Sequence, residues 1–326
     1  MRNVFFILII LLISSFFGCL MFGGGRISIE EVITGLFHPQ SEGVASTIIW
    51  QIRIPRVILG FLVGAGLAAS GCVFQGLLRN PLAEPYTLGV SGGAAFGATI
   101  GVILELGSFW LPGCAFLGAL LSISLVYLVA SIKRFSIPTL VLGGVILSFL
   151  FSSMVMFIFA ISQSDRIHSC ILWLMGDLSV AEPNLIKLIL IFILIGVSSI
   201  LIFSRDLNIL TLGEEKATHL GVEVIKVKRL LFIITSFITG GCVSASGIIG
   251  FVGLIIPHFM RQLIGPNHVV LIPASVLAGA IFLSLCDCLA RTIIAPQELP
   301  VGVITGILGG IFFLTFLLRA KRWEIF

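Results

Sequence analysis

Glu214, Glu215, Lys216 and His219 lie in the string Leu212-Gly-Glu-Glu-Lys-Ala-Thr-His-Leu-Gly221. On a short helix they offer a polar, charged face, and Leu212, Ala217 and Leu220 offer apolar anchors beside it. Gly213 and Gly221 permit the turns that bound such a helix. That chemistry suits docking onto a partner in water. The string sits inside residues 205–229, which hold nine of the 34 charged residues of an otherwise apolar chain. The competing reading is a solvated loop between two hydrophobic spans.

The remaining reactive residues suggest little catalysis. Asp287 and Arg291 stand four apart, so they share a helix face and could pair. The histidines at 38, 168, 219, 258 and 268 make no HxxxH or HExxH pattern, and no metal site is expected. Seven scattered cysteines form no CxxC and read as packing residues. No GxxxxGK[ST] occurs, so the chain is not expected to hold nucleotide itself, nor to be an enzyme or bind a cofactor.

Composition names the elements that must position these residues. The chain is 58% hydrophobic and 10% charged, too little charge to cover a soluble core, since soluble domains carry about 25%. It reads as one polytopic all-α membrane domain over 1–326. Spans of about 20 apolar residues fall near 4–22, 57–78, 86–104, 110–132, 138–161, 184–203, 269–290 and 299–318. The run 230–260 is too long for one span. Gly247, Gly250 and Gly253 with Pro257 divide it near 230–247 and 249–264, which gives ten. The run 4–22 exceeds a signal-peptide core and reads as a retained first span. Ten spans place both termini on one side. With the loops after spans 2, 4, 6 and 8, that side holds thirteen of the nineteen Lys and Arg. It is therefore assigned to the cytoplasm, together with segment 205–229. The small net charge speaks to topology and gives no reason to expect nucleic acid.

Small residues recur every fourth position. Gly89, Gly93, Gly97 and Gly101 line span 3, Gly60, Gly64 and Ala68 line span 2, and Gly302, Gly306 and Gly310 line span 10. Such ridges let backbones approach closely in lipid. The two prolines of Asn80-Pro-Leu-Ala-Glu-Pro85 predict broken helices unless the segment is an ordinary loop. Gly64-Ala-Gly-Leu-Ala-Ala-Ser-Gly71 is echoed by Gly240-Gly-Cys-Val-Ser-Ala-Ser-Gly247 in a span of opposite direction. This suggests an inverted repeat of spans 2–5 and 7–10. No ladder of buried acids offers a proton route, which argues against the different-class alternative, an ion-coupled secondary transporter.

Six strings occur in order: Trp50-Gln-Ile-Arg-Ile-Pro-Arg56, Asn80-Pro-Leu-Ala-Glu-Pro85, Leu88-Gly-Val-Ser-Gly-Gly-Ala94, Leu212–Gly221, Gly250-Phe-Val-Gly-Leu-Ile-Ile-Pro-His258 with Arg261, and Glu298-Leu-Pro-Val-Gly302. From about residue 25 onward the chain resembles the permease subunits of ABC importers for iron–siderophores, heme and vitamin B12. The resemblance implies a homodimer or close heterodimer of permeases in the cell membrane. It also implies two cytoplasmic ATPase subunits that use ATP and Mg, and an external or periplasmic binding protein. It makes Leu212, Gly213, Glu214, Glu215, Lys216, Ala217, His219, Leu220 and Gly221 the ATPase-coupling segment. It assigns Arg53, Arg56 and Arg291 to binding-protein docking, where a planar fork suits carboxylates. It places the inner gate at Asn80 and Leu82 and at Ser136, Ile137, Pro138 and Thr139, although Ile137 and Pro138 are bulkier or stiffer than the small hydroxyl residues expected there. Iron–siderophore is the commonest family cargo and leads. Vitamin B12 and heme are the alternatives.

Overall fold

A computed structural model describes residues 2–23, 28–37, 43–107 and 109–319. Fifteen α-helices and no strand occur among them. The ten expected spans are α1 (Arg2–Met21), α4 (Ile54–Leu77), α5 (Val90–Ile103), α6 (Leu111–Ile132), α7 (Ile137–Ala160), α9 (Pro183–Ile202), α12 (Val224–Ser246), α13 (Val252–Ile264), α14 (His268–Thr292) and α15 (Val301–Arg319). Between them lie the short α2 (Ile29–Phe37), α3 (Val44–Thr47), α8 (Ser164–Leu174), α10 (Ser204–Thr211) and α11 (Glu214–His219). A π-helical turn, Ile48–Arg53, joins α3 to α4, so the second span enters as a helix continuous from Val44 to Leu77. Ser28 and Glu31 start α2 with reciprocal hydrogen bonds of 2.8 and 3.3 Å. The bonds from Ser28 hold the Glu31 carboxyl below its usual range.

Helix α4 is the centre. It packs on α14, α12, α13 and α9, and its glycine ridge makes a close crossing with α14. A Cβ at Gly64 would lie 2.2 Å from the Gly279 carbonyl oxygen of α14, and one at Gly279 would meet Ala68. The ridge of α5 does the same against α6, where Gly93 and Gly97 face Gly118 and Cys114. The last ridge differs. Gly302 packs on the Met175 and Ile248 carbonyls, but Gly306 and Gly310 have nothing within 4 Å, and Gly309 instead receives the Phe251 ring. A three-four alternation places Gly309 one residue round the helix from the expected stripe.

Packing obeys the inverted repeat. Helix α4 lies on α13 and α14, and α12 lies on α5 and α6. Helix α5 lies on α6 and α7, and α13 lies on α14 and α15. Exchanging spans 2–5 with 7–10 maps each of these pairs onto another.

Two spans are shorter than expected. Helices α5 and α13 have 14 and 13 residues, about 20 Å of helix against the roughly 30 Å of hydrocarbon. Each is preceded by irregular chain. Pro85–Leu88 is a 3-10 turn ending at Gly89, φ 84°. Residues 247–251 carry Gly247 at φ 69° and Phe251 at φ 70°. This break, rather than Pro257, divides 230–264, because Pro257 lies inside α13. There it removes the donor for the carbonyl four residues back. Gln75 of α4, fully buried, donates to that Gly253 carbonyl at 3.3 Å and to Leu254 O at 3.1 Å.

The two breaks also satisfy each other. Glu84 Oε1 accepts from Phe251 N at 2.5 Å, and Tyr86 OH donates to Ile249 O at 2.9 Å and accepts from Ile249 N at 3.2 Å. The connection after span 2 and the connection after span 7 belong to opposite ends of the bundle. Their contact therefore carries irregular backbone into the membrane interior, where protein groups complete it.

Candidate functional site

The loops after spans 2, 4, 6 and 8 meet at one end. Helix α11 begins after Gly213, φ 115°, and ends before Gly221, φ 85°, conformations that favour glycine at both turns. Leu212 and Leu220 bracket it and are 57% and 61% exposed. Glu215, Lys216 and His219 are exposed with them. Ala217 is not an outward anchor as expected. It is fully buried and holds α11 against the bundle, because on a six-residue helix one side must face the protein. Glu214 turns sideways to Lys228 Nζ at 2.5 Å. Helix α10, not anticipated as a separate element, packs on α11, α4 and α14. Asn208 of α10 donates to Asn267 Oδ1 at 2.9 Å, and its Oδ1 accepts from His268 N at 2.8 Å.

The coupling and gate candidates converge. Leu78, Arg79, Lys133, Arg134, Ser136, Ile137, Pro138 and Glu214 line one open cavity of about 730 Å3. Ser136 and Thr139 hydroxyls lie 2.6 Å apart at the start of α7. Asn80 Oδ1 accepts from Leu82 N at 2.9 Å and shapes the neighbouring turn. Asn80 and Leu82 are exposed but do not line that cavity. Arg79, Arg134 and Phe135 adopt left-handed backbone at φ 47°, 52° and 55°, which is uncommon for residues with a Cβ and marks sites where surroundings dictate the chain.

The opposite end gathers Arg53, Arg56 and Arg291, but turns them inward. All three are buried, so this structure does not present them as a docking surface. Arg56 binds Asp287 through Nη2 at 2.9 Å and Glu298 through Nη1 at 2.6 Å. Arg291 Nε meets Asp287 Oδ2 at 3.1 Å, the i,i+4 pair read from the sequence. Arg53 donates to the Leu20 carbonyl at 2.6 Å, and Arg291 to Cys19 O at 3.4 Å. These bonds close the exposed carbonyls at the end of α1. Glu298 and Asp177 line a small pocket of about 230 Å3 beside Arg56. The acids that claim Arg56, Asp287 and Glu298, lie more than 200 residues from it in sequence, which is why Arg56 reads as free in the sequence. Arg166 and Glu105 pair at this same end. Arg26, Lys321 and Arg322, counted for orientation, lie outside the described residues.

This segregation of loops and the paired breaks match a known architecture. The FecCD transport family profile matches residues 7–319. The chain belongs to the FecCD transport family. Among FecCD relatives, an uncharacterized ABC transporter permease protein YvrB of Bacillus subtilis is 43% identical over 85% of this chain and 80% of its own. The cobalamin import system permease protein BtuC of Halobacterium salinarum is 41% identical over 85% of this chain and 75% of its own. A solved inward-facing structure, of a protein described as a metal-chelate type ABC transporter, superposes with TM-score 0.86 at 34% identity. It covers 98% of this chain and 99% of the other. This FecCD protein is a membrane transport permease, with ATP hydrolysis left to a separate subunit. As in the family generally, it works with an ATPase and a substrate-binding protein.

Proposed function

We propose that this chain is the permease of a binding-protein-dependent importer for an iron–siderophore, with vitamin B12 or heme as the alternative cargo. The α11 end faces the cytoplasm, as do both termini, because the Lys/Arg excess lies there. The observation that carries the reading is the pair of exposed leucines, Leu212 and Leu220, at the two ends of a helix whose Ala217 is locked inward. Two apolar knobs on a rigid charged segment suit a groove on an ATPase, with Glu215, Lys216 and His219 forming the polar rim.

Two copies complete the passage. Gly306 and Gly310 of α15 leave a small-residue strip open, and α7, the repeat-related span, exposes Phe149 and Phe157. A second permease against these faces would form a homodimer with the route between subunits. ATP binding then moves α11 and re-gates the segment at Ser136–Thr139. The buried arginines hold the external end in shape, and binding-protein docking there requires at least one of them to exchange its internal partner for a carboxylate of that protein.

The test is ATP-driven uptake in proteoliposomes holding this chain, its ATPase and its binding protein, with ferric siderophore, cobalamin and heme compared. Uptake of ferric siderophore only with ATP and both partners supports the proposal. Uptake of cobalamin or heme alone replaces the cargo, and uptake driven by an ion gradient without ATPase rejects the mechanism.

A further inference from the structure

Lys228 lies on α12, outside the LGEEKATHLG string, yet it is only 2% exposed. Its Nζ contacts two groups from different segments: the Glu214 carboxylate of α11 at 2.5 Å and the Phe135 carbonyl at 3.3 Å. Phe135 immediately precedes Ser136 and α7. It is fully buried, with its ring edge-on to Tyr127 and Phe232 at 5.2 and 6.2 Å. The next residue of α12, Arg229, places its guanidinium 5.4 Å from the Phe135 ring centroid and 5.9 Å from that of Tyr127. Consecutive residues of one helix therefore grip Phe135 by its carbonyl and by its ring face.

We propose that Glu214, Lys228 and the Phe135 carbonyl form a strut that transmits displacement of α11 to the gate segment at the start of α7. The inference rests on the coupling role assigned to α11 above. A buried ammonium cannot be left unpaired without heavy cost. Moving Glu214 therefore draws Lys228 with it, and Lys228 draws the Phe135 carbonyl. Phe135 and Arg134 already hold left-handed backbone at φ 55° and 52°. Such residues stay there only while their surroundings dictate it, so a pull on the carbonyl acts on a segment with another conformation available. Lys228 is a positioning residue: it touches neither cargo nor the ATPase.

The experiment uses the complete transporter in proteoliposomes and reads cargo imported per ATP hydrolysed. Lys228→Met removes both contacts, Lys228→Gln keeps a donor for the carbonyl, and Glu214→Gln removes the charge at the exposed end. The expected result is a fall of about tenfold in the transport-to-hydrolysis ratio for Lys228→Met, within the usual range of coupling between sites. Lys228→Gln should be intermediate, and Lys228→Met with Glu214→Gln no worse than Lys228→Met alone. The ATPase should still co-purify with each variant. Nucleotide-dependent labelling of Ser136→Cys should be lost in the Lys228→Met background. A ratio within twofold of the parent, or independent and multiplicative losses in the double variant, overturns the strut. If Lys228→Met does not assemble, Glu214→Gln, at a half-exposed carboxylate, decides on the same ratio. Leu212→Ala with Leu220→Ala tests the docking reading separately: unchanged ATPase capture there removes the docking role and says nothing for the strut.

Discussion

The two ends of this permease use charge in opposite ways. At the Arg56 end, three guanidinium groups are buried and consumed by Asp287, Glu298 and the last carbonyls of α1. At the α11 end, Glu215, Lys216 and His219 stand in the open beside two exposed leucines, and only Glu214 is committed inward. The first arrangement fixes helices against one another. The second reserves contact-forming groups for another molecule and ties them to the bundle at Ala217 and Lys228. The same residue types hence serve rigidity at one end and association at the other, and exposure decides which.

That contrast can be broken most forcefully at Asp287. Asp287→Ala leaves Arg56 and Arg291 buried with reduced compensation. We expect about 3–5 kcal/mol of destabilisation, measured as a lower unfolding midpoint and lower folded yield in detergent. A midpoint equal to the parent's would mean the cluster is not an internal clamp. Gly64→Ala asks how far packing shares the task. Its Cβ would meet the Gly279 carbonyl at 2.2 Å, so backbones must part at a cost of about 1–3 kcal/mol. Gly306→Ala, with open space around it, should leave protomer stability alone. Equal midpoints for these two variants would contradict the close crossing of α4 and α14.

The open end should respond in affinity and not in stability. Leu220→Ala is expected to weaken ATPase capture about tenfold, in line with loss of an interface anchor, with the unfolding midpoint unmoved. A drop in midpoint without a change in capture would recast Leu220 as a folding residue. The smallest effect belongs to Lys226→Ala. Its pair with Glu223 is exposed on both sides, so stability should change by less than about 0.5 kcal/mol. A larger loss would show that even the outermost charges here are structural.

Much of this was legible because lipid imposes simple rules. Eight apolar runs could be marked off by length, and a further run over 230–260, too long for one span, was divided into two. The ridge at Gly89, Gly93, Gly97 and Gly101 announced a close helix contact, which α6 supplies. Other features depend on where distant chain arrives. Nothing near Arg56 in sequence announces Asp287 or Glu298, so its burial was not foreseeable. Ala217 could not be assigned a side, because six residues make too few turns to define a face. The break at 247–251 was expected from its glycines, yet Pro257 was credited with part of it. The neighbour that makes a proline tolerable inside α13 is Gln75, contributed by α4. Lys228 carried no local signal, since a lysine near the end of a span ordinarily reaches water.

The mutual completion of the two helix breaks also governs how the chain can be made. Glu84 and Tyr86 find their partners at Phe251 and Ile249, more than 160 residues later in synthesis. Until the second half emerges, the first half holds a carboxylate and a phenol with no assigned place inside the bilayer. Maturation of the N-terminal spans must therefore wait for the C-terminal ones, and a nascent chain halted after α9 should remain protease-sensitive around residues 80–90. Co-expressing residues 204–326 as a separate piece should restore protection, with the two halves meeting as post-translational partners.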